Sequence, residues 1–197
     1  MSSVEIDTRT KILQTAWELM EKDPGKSLSM SQIAKATGIS RQAVYLHFAS
    51  RTELMIATTH YVDEVKGLNQ RLEAVQAASS GTEMLEKFVE VWGDYMPEVY
   101  SVSKALMLTK ANDEAAAAAW DEIMGCLKDV CVQVINALRE EKKFNSVWDA
   151  EKATDLFWTM ISINSWEQLT QDCGWSTEQY IEETTKVLKS MLVSTAS

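Results

Sequence analysis

The sequence predicts an all-α fold of about nine helices, and three observations predict it. Gly and Pro are scarce, seven and two in 197 residues. Apolar residues recur at spacings near 3.6 along most of the chain. Ser, Asp or Asn stands before several of these runs, in places with Gln or Glu three residues later, which is the pattern of a capped helix start.

Taken in order, the first helix starts at Asp7, turns Ile12, Leu13, Ala16, Leu19 and Met20 inward and stops at Asp23-Pro24-Gly25. Ser29 with Gln32 opens the second helix as a capping box, and Ile33, Ala34 and Ala36 give it a small apolar face that lets another helix come close. Gly38 stands where that helix must stop and turn. Ser40 caps a third helix in which Val44 and Phe48, four apart, point inward. Its other face carries Arg41, Gln42, Tyr45, Leu46 and His47. Two short helices joined by a tight turn, the second with a polar and aromatic outer face, describe a helix-turn-helix. Arg and Gln suit base edges, and Tyr, Ser and His suit phosphates. Ser50 with Glu53 is a further capping box, opening a fourth helix expected over 52–77.

Beyond the loop Ala78-Ser79-Ser80-Gly81-Thr82, a helix is expected over 83–96, ended by Pro97, and a shorter one to Lys110. Asn112 is expected to cap the next helix, which places Asp113 and Glu114 in its positive first turn and reaches Lys143. An eighth helix is expected from Asp149 to Asp172. Ser176 with Gln179 opens the ninth as a capping box, with Trp175 and Tyr180 as a hydrophobic staple.

The net charge of −10 is unevenly placed: residues 1–51 hold seven Lys/Arg against five Asp/Glu, and residues 52–197 hold twelve against twenty-four. The N-terminal segment can therefore meet phosphate while the rest is repelled by it. Apolar residues at 46% exclude a disordered chain. No apolar run is long enough for a membrane span, and Met1-Ser2-Ser3-Val4-Glu5 does not read as a signal peptide, so a cytoplasmic location is expected. Cys126, Cys131 and Cys173 form no CxxC pair and are expected to be buried small apolar residues, with a redox role as the alternative. Catalysis is not expected. The two histidines, His47 and His60, lie in or beside the helix-turn-helix, and no metal spacing or phosphate-binding glycine motif occurs. No metal or other cofactor is expected.

Residues 9–60 closely resemble the DNA-binding domain of tetracycline-repressor (TetR) type transcriptional regulators. The resemblance is carried by the amphipathic first helix, Leu28-Ser29-Met30, Ile33-Ala34, Gly38-Ile39-Ser40, Val44-Tyr45, His47-Phe48 and Ser50-Arg51-Thr52-Glu53-Leu54. It implies a DNA-binding domain over 1–51, a connecting helix over 52–77, and an effector-binding and dimerisation domain over 52–197. Carried over by position, Ser31, Arg41, Gln42 and Leu46 contact bases, and Ser40, Tyr45, His47 and Arg51 hold phosphates. Leu46 departs from the basic or aromatic residue common there.

The implied partner is double-stranded DNA with a palindromic operator, bound by a homodimer. The eighth helix is apolar on more than one face, a pattern that packing against a second copy explains. Met160, Ile163, Ile181, Leu188 and Met191 are the expected interface residues. Phe88, Trp92, Tyr95, Met96, Met107, Trp120, Met124 and Trp158 are expected to line an effector pocket, since Trp needs a partner for its N–H and Met fills irregular space. The effector is expected to be small and hydrophobic, or a cationic aromatic compound if Glu90, Asp94, Glu98, Glu122 or Asp155 faces it. The expected function is a ligand-responsive regulator, a repressor released by that effector. The alternatives are a constitutive regulator and an activator or co-regulator with a protein partner.

Overall fold

The computed structural model describes residues 7–194, and the N-terminal pentapeptide read above lies outside them. Ten α-helices make up most of the described chain: α1 (Thr8–Lys22), α2 (Met30–Thr37), α3 (Arg41–His47), α4 (Arg51–Val65), α5 (Leu68–Gln76), α6 (Gly81–Thr109), α7 (Glu114–Glu140), α8 (Ala150–Met160), α9 (Ile163–Glu167) and α10 (Thr177–Leu192). A π-helical turn, Gln168–Asp172, prolongs α9. Phe144 and Val193 form an isolated antiparallel bridge. No helix among the described residues is long and apolar enough to cross a membrane.

The chain forms two compact units, Met1–Lys66 with Val99–Ile123, and Gly67–Glu98 with Met124–Ser197. In the first, Ile12, Leu13, Ala16 and Met20 of α1 are buried, as are Ile33 and Ala34 of α2, Val44 and Phe48, and Leu54, Met55 and Val62 of α4. Each large side chain closed off in this way contributes roughly 1.5–3 kcal/mol. The Arg9 guanidinium lies 4.9 Å from the centre of the Phe48 ring. The second unit buries Leu85, Phe88, Val89 and Trp92 of α6, Leu127, Cys131, Val134, Ile135 and Leu138 of α7, Phe157 of α8, and Tyr180, Leu188 and Leu192 of α10. Phe88 meets Phe157 edge to face, with ring centres 6.1 Å apart.

Several boundaries differ from the sequence expectation. The helix expected over 52–77 is broken at Gly67, whose φ of 68° is left-handed and ends the α4 ladder. Pro97 does not end a helix; α6 runs through it. Loss of one backbone hydrogen bond is outweighed there by the burial of Tyr95, Met96, Val99 and Val102 on either side. Asp113, not Asn112, caps α7, its Oδ1 accepting from the N–H groups of Ala115 and Ala116 at 3.1 Å each. The expected eighth helix is interrupted at Ile161 and Ser162, because the Ser162 hydroxyl accepts from the N–H of Ser165 and restarts the chain as α9. Cys126 and Cys173 are exposed, and only Cys131 is buried. The buried positions of α7 run Trp120, Met124, Leu127, Cys131, Ile135, Leu138, a register from which Cys126 falls out.

Candidate nucleic-acid interface

The interface is built from consecutive capped helix starts. In α2 the Ser29 N–H donates to Gln32 Oε1 at 2.9 Å and the Gln32 N–H donates back to Ser29 Oγ at 3.2 Å. Gly38 ends α2 with φ 78°. The Ala43 N–H donates to Ser40 Oγ at 3.0 Å, which fixes the first turn of α3. Val44 and Phe48 are fully buried, so the opposite face of α3 is held outward by its own core contacts. After α3, the Glu53 N–H donates to Ser50 Oγ at 3.0 Å and Glu53 Oε2 accepts from the Ala49 N–H at 2.8 Å. That acid is thereby committed to capping α4.

The outward residues are those the sequence names. Ser31, Ser40, Arg41 and Gln42 are exposed. Tyr45 is 40% and Leu46 83% exposed, both on the face of α3 opposite Val44 and Phe48. His47 is half-buried. Arg41 Nη2 donates to Tyr45 Oη at 3.3 Å, and its guanidinium lies 5.5 Å from the Tyr45 ring centre, so the two side chains are arranged as a pair. Arg51, expected at a phosphate, is held by partners within the protein and its side chain is 30% exposed. Its Nη1 donates to Leu28 O at 3.0 Å and to Asp113 Oδ2 at 2.7 Å, and its Nη2 donates to Asp113 Oδ1 at 2.5 Å. Nothing in the local sequence points to a partner 62 positions away. Burial alone would raise the Asp113 carboxyl, but hydrogen bonds from Arg51, Ser27 and the Ala116 N–H, with the Arg51 charge, hold it at about 2.

The residues expected to line a pocket divide between the units: Met107 and Trp120 belong to the first, and Phe88, Trp92, Tyr95, Met96, Met124 and Trp158 to the second. All are buried except Met107 and Trp158, which are half-buried. Trp158 Nε1 donates to Met124 O at 3.0 Å. The Trp92 indole N–H is turned toward the Tyr180 hydroxyl, but both buried polar atoms lack a hydrogen bond of ordinary geometry. Three of the acids considered for a cationic effector are paired: Glu98 with Arg71, Glu122 with His60, and Asp155 with Lys128. Glu90 and Asp94 line an open groove of about 780 Å³ between α6 and α10, together with Glu86, Glu178, Ile181 and Glu182. Of the expected interface residues, Ile163 and Leu188 are closed inside the protomer, whereas Met160, Ile181 and Met191 are half-buried. Among the described residues no group of three or more His, Cys, Asp or Glu is placed to hold a metal ion.

Residues 12–58 match the sequence profile of the bacterial regulatory proteins, tetR family. The chain is similar to the nucleoid occlusion factor SlmA of Marinomonas sp. (strain MWYL1), 33% identical over 64 residues, which is 32% of each chain. The matched segment therefore spans about a third of the length of that relative. Among solved structures, the chain is similar to the transcriptional regulator FadR from Bacillus subtilis, determined in complex with stearoyl-CoA (TM-score 0.72, 15% identity, covering 92% of this chain and 97% of that one). It is also similar to NalD, the secondary repressor of the MexAB-OprM multidrug efflux pump in Pseudomonas aeruginosa (TM-score 0.71, 17% identity, 96% and 98% covered). At these identities the structural likeness is one of fold.

Proposed function

We propose, from the chain's membership of the tetR family of bacterial regulatory proteins, which residues 12–58 carry, that this protein binds a specific DNA duplex and regulates transcription. The family is one of DNA-binding regulators and not of enzymes. One observation carries the reading: α3 keeps Val44 and Phe48 in the core while Arg41, Gln42, Tyr45 and the 83% exposed Leu46 face outward. In this reading α3 enters the major groove, Arg41, Gln42, Leu46 and Ser31 meet base edges, and Ser40, Tyr45 and His47 meet phosphates. Two copies bind a palindrome in the cytoplasm, where the chromosome lies, paired through α8 and α10. The exposed apolar side chains there, Leu156 at 39% and Val187 at 48%, support that face, with Met160 and Met191 beside them in sequence register.

The protein is a repressor released by a small, mainly hydrophobic effector held by the aromatics of the second unit. What supports an effector there is the buried Trp92 N–H and Tyr180 hydroxyl, which face each other without a hydrogen bond of ordinary geometry, a spacing that a ligand oxygen between them would satisfy. The fold shared with FadR and NalD supports the same reading. Pairing of Glu98 and Asp155 with basic side chains favours the hydrophobic over the cationic compound.

Selection of duplexes from a random pool at two salt concentrations tests the DNA reading. The expected result is a palindrome bound with steep salt dependence. A folded protein that enriches no sequence at low salt refutes it. For the effector, Trp92→Ala should abolish a ligand-induced rise in melting temperature while leaving duplex binding intact.

A further inference from the structure

The structure assigns Asp113 a positioning role in DNA binding, exerted through Arg51 on both ends of the recognition helix. The inference rests on the DNA-binding reading above. Asp113 caps α7 with its side chain only 2% exposed, so it cannot itself touch DNA. Its two oxygens hold the Arg51 guanidinium in a bidentate pair, and the same guanidinium holds Leu28 O. Leu28 directly precedes the Ser29 cap of α2, and Arg51 is the first residue of α4. The recognition helix α3 lies between those two points in the chain. One buried carboxylate thus ties together the start of α2, the start of α4 and the start of α7, all within the first unit. A planar guanidinium suits this task because its fork fixes direction as well as distance. The pairing engages three of the five Arg51 donors within the protein, so in this reading Arg51 acts on DNA through position and not through a phosphate.

A phosphate contact and a positioning contact leave different marks on salt dependence. Each phosphate neutralised adds about 0.9 to the slope of log affinity against log salt. The test uses full-length protein and the duplex that the wild type selects. Asp113→Asn and Arg51→Met should each weaken binding about tenfold, within the range of couplings between linked sites. The double variant should be no weaker than either alone, and Arg51→Met should leave the slope unchanged. Arg51→Lys, which keeps the charge but loses the fork, should bind with intermediate affinity, and it serves if the methionine variant does not fold. Hydrogen exchange should show faster amide exchange in α2 and α3 of Asp113→Asn, with α8 and α10 unchanged. An Asp113→Asn protein that binds as tightly as wild type overturns the inference, as does a slope reduced by about 0.9 in Arg51→Met. If the wild type selects no duplex, the functional reading fails and the inference falls with it.

Discussion

Protonating Asp113 should remove a measurable part of the stability of the first unit, and comparison with Asp113→Asn isolates that part. The carboxyl lies at about 2 in the folded protein against an ordinary 3.8, since the donors around it outweigh its burial. A folded-state value below the unfolded one stabilises the fold at pH above 3.8, and the contribution is lost as pH falls toward 2. A displacement of that size corresponds to roughly 2.5 kcal/mol. A protonated aspartic acid and the asparagine that replaces it are nearly isosteric and both neutral, so wild type and variant should converge in acid whatever else titrates. The assay is urea unfolding followed by tryptophan fluorescence at one protein concentration, from pH 7 to pH 2. The stability gap should be about 2 kcal/mol and flat down to about pH 4.5, then close toward zero near pH 2. A gap that persists undiminished at pH 2, or one below about 0.5 kcal/mol at pH 7, refutes the argument that ionisation of Asp113 stabilises this junction.

Three further outcomes follow from the packing. A Cβ at Gly93 would collide with Ile181 Cγ1, so Gly93→Ala should destabilise by about 1–3 kcal/mol despite its better helix propensity, and Ile181→Ala should recover part of the loss in thermal melting. A thiol-reactive dye should label Cys126 and Cys173 in the native protein and Cys131 only after denaturation, because Cys131 is fully buried and burial pushes its thiol pKa up; three labels in native buffer would contradict the buried register of α7. Arg41→Ala should cost about 1–3 kcal/mol in binding the selected duplex and relax preference at one base pair, and an unchanged sequence preference would remove Arg41 from the base-reading set.

The parts of the fold that could be read from the sequence are those determined within four residues. The caps at Asp7, Ser29, Ser40, Ser50, Asp149 and Ser176 form, because each is a side chain bonding a backbone N–H two or three positions on, although the box expected at Ser50 closes only on one side, Glu53 bonding the Ala49 N–H instead. The same locality placed the outward face of α3, where two buried positions four apart settle the orientation of all the others. Local rules failed where tertiary burial opposed them. Pro97 has a strong local preference to end a helix, yet α6 continues because its flanks are buried. The exposed Cys126 shows the complementary failure: small apolar character suggests burial, but helical register decides it.

Arg51 illustrates what residue type cannot supply. A basic residue at the first turn after a recognition helix has the right charge and position for a phosphate, and local sequence offers it no competing partner. The fold brings Asp113 near as an internal partner, and there is a physical reason for the pair. A carboxylate with its side chain 2% exposed cannot remain ionised without a counter-ion, whereas an exposed phosphate is already solvated and screened. Removing Arg51 would strand that charge, so the ion pair is maintained from the Asp113 side. Arg51, one of the seven basic residues of segment 1–51, is thus paired with an acid of the protein itself. Of the cations there, Arg41 remains exposed, bonded to the Tyr45 hydroxyl on its own helix. What the Asp113 junction supplies to that surface is fixed geometry, because it ties the start of α2 to the start of α4, and α3 lies between them in the chain.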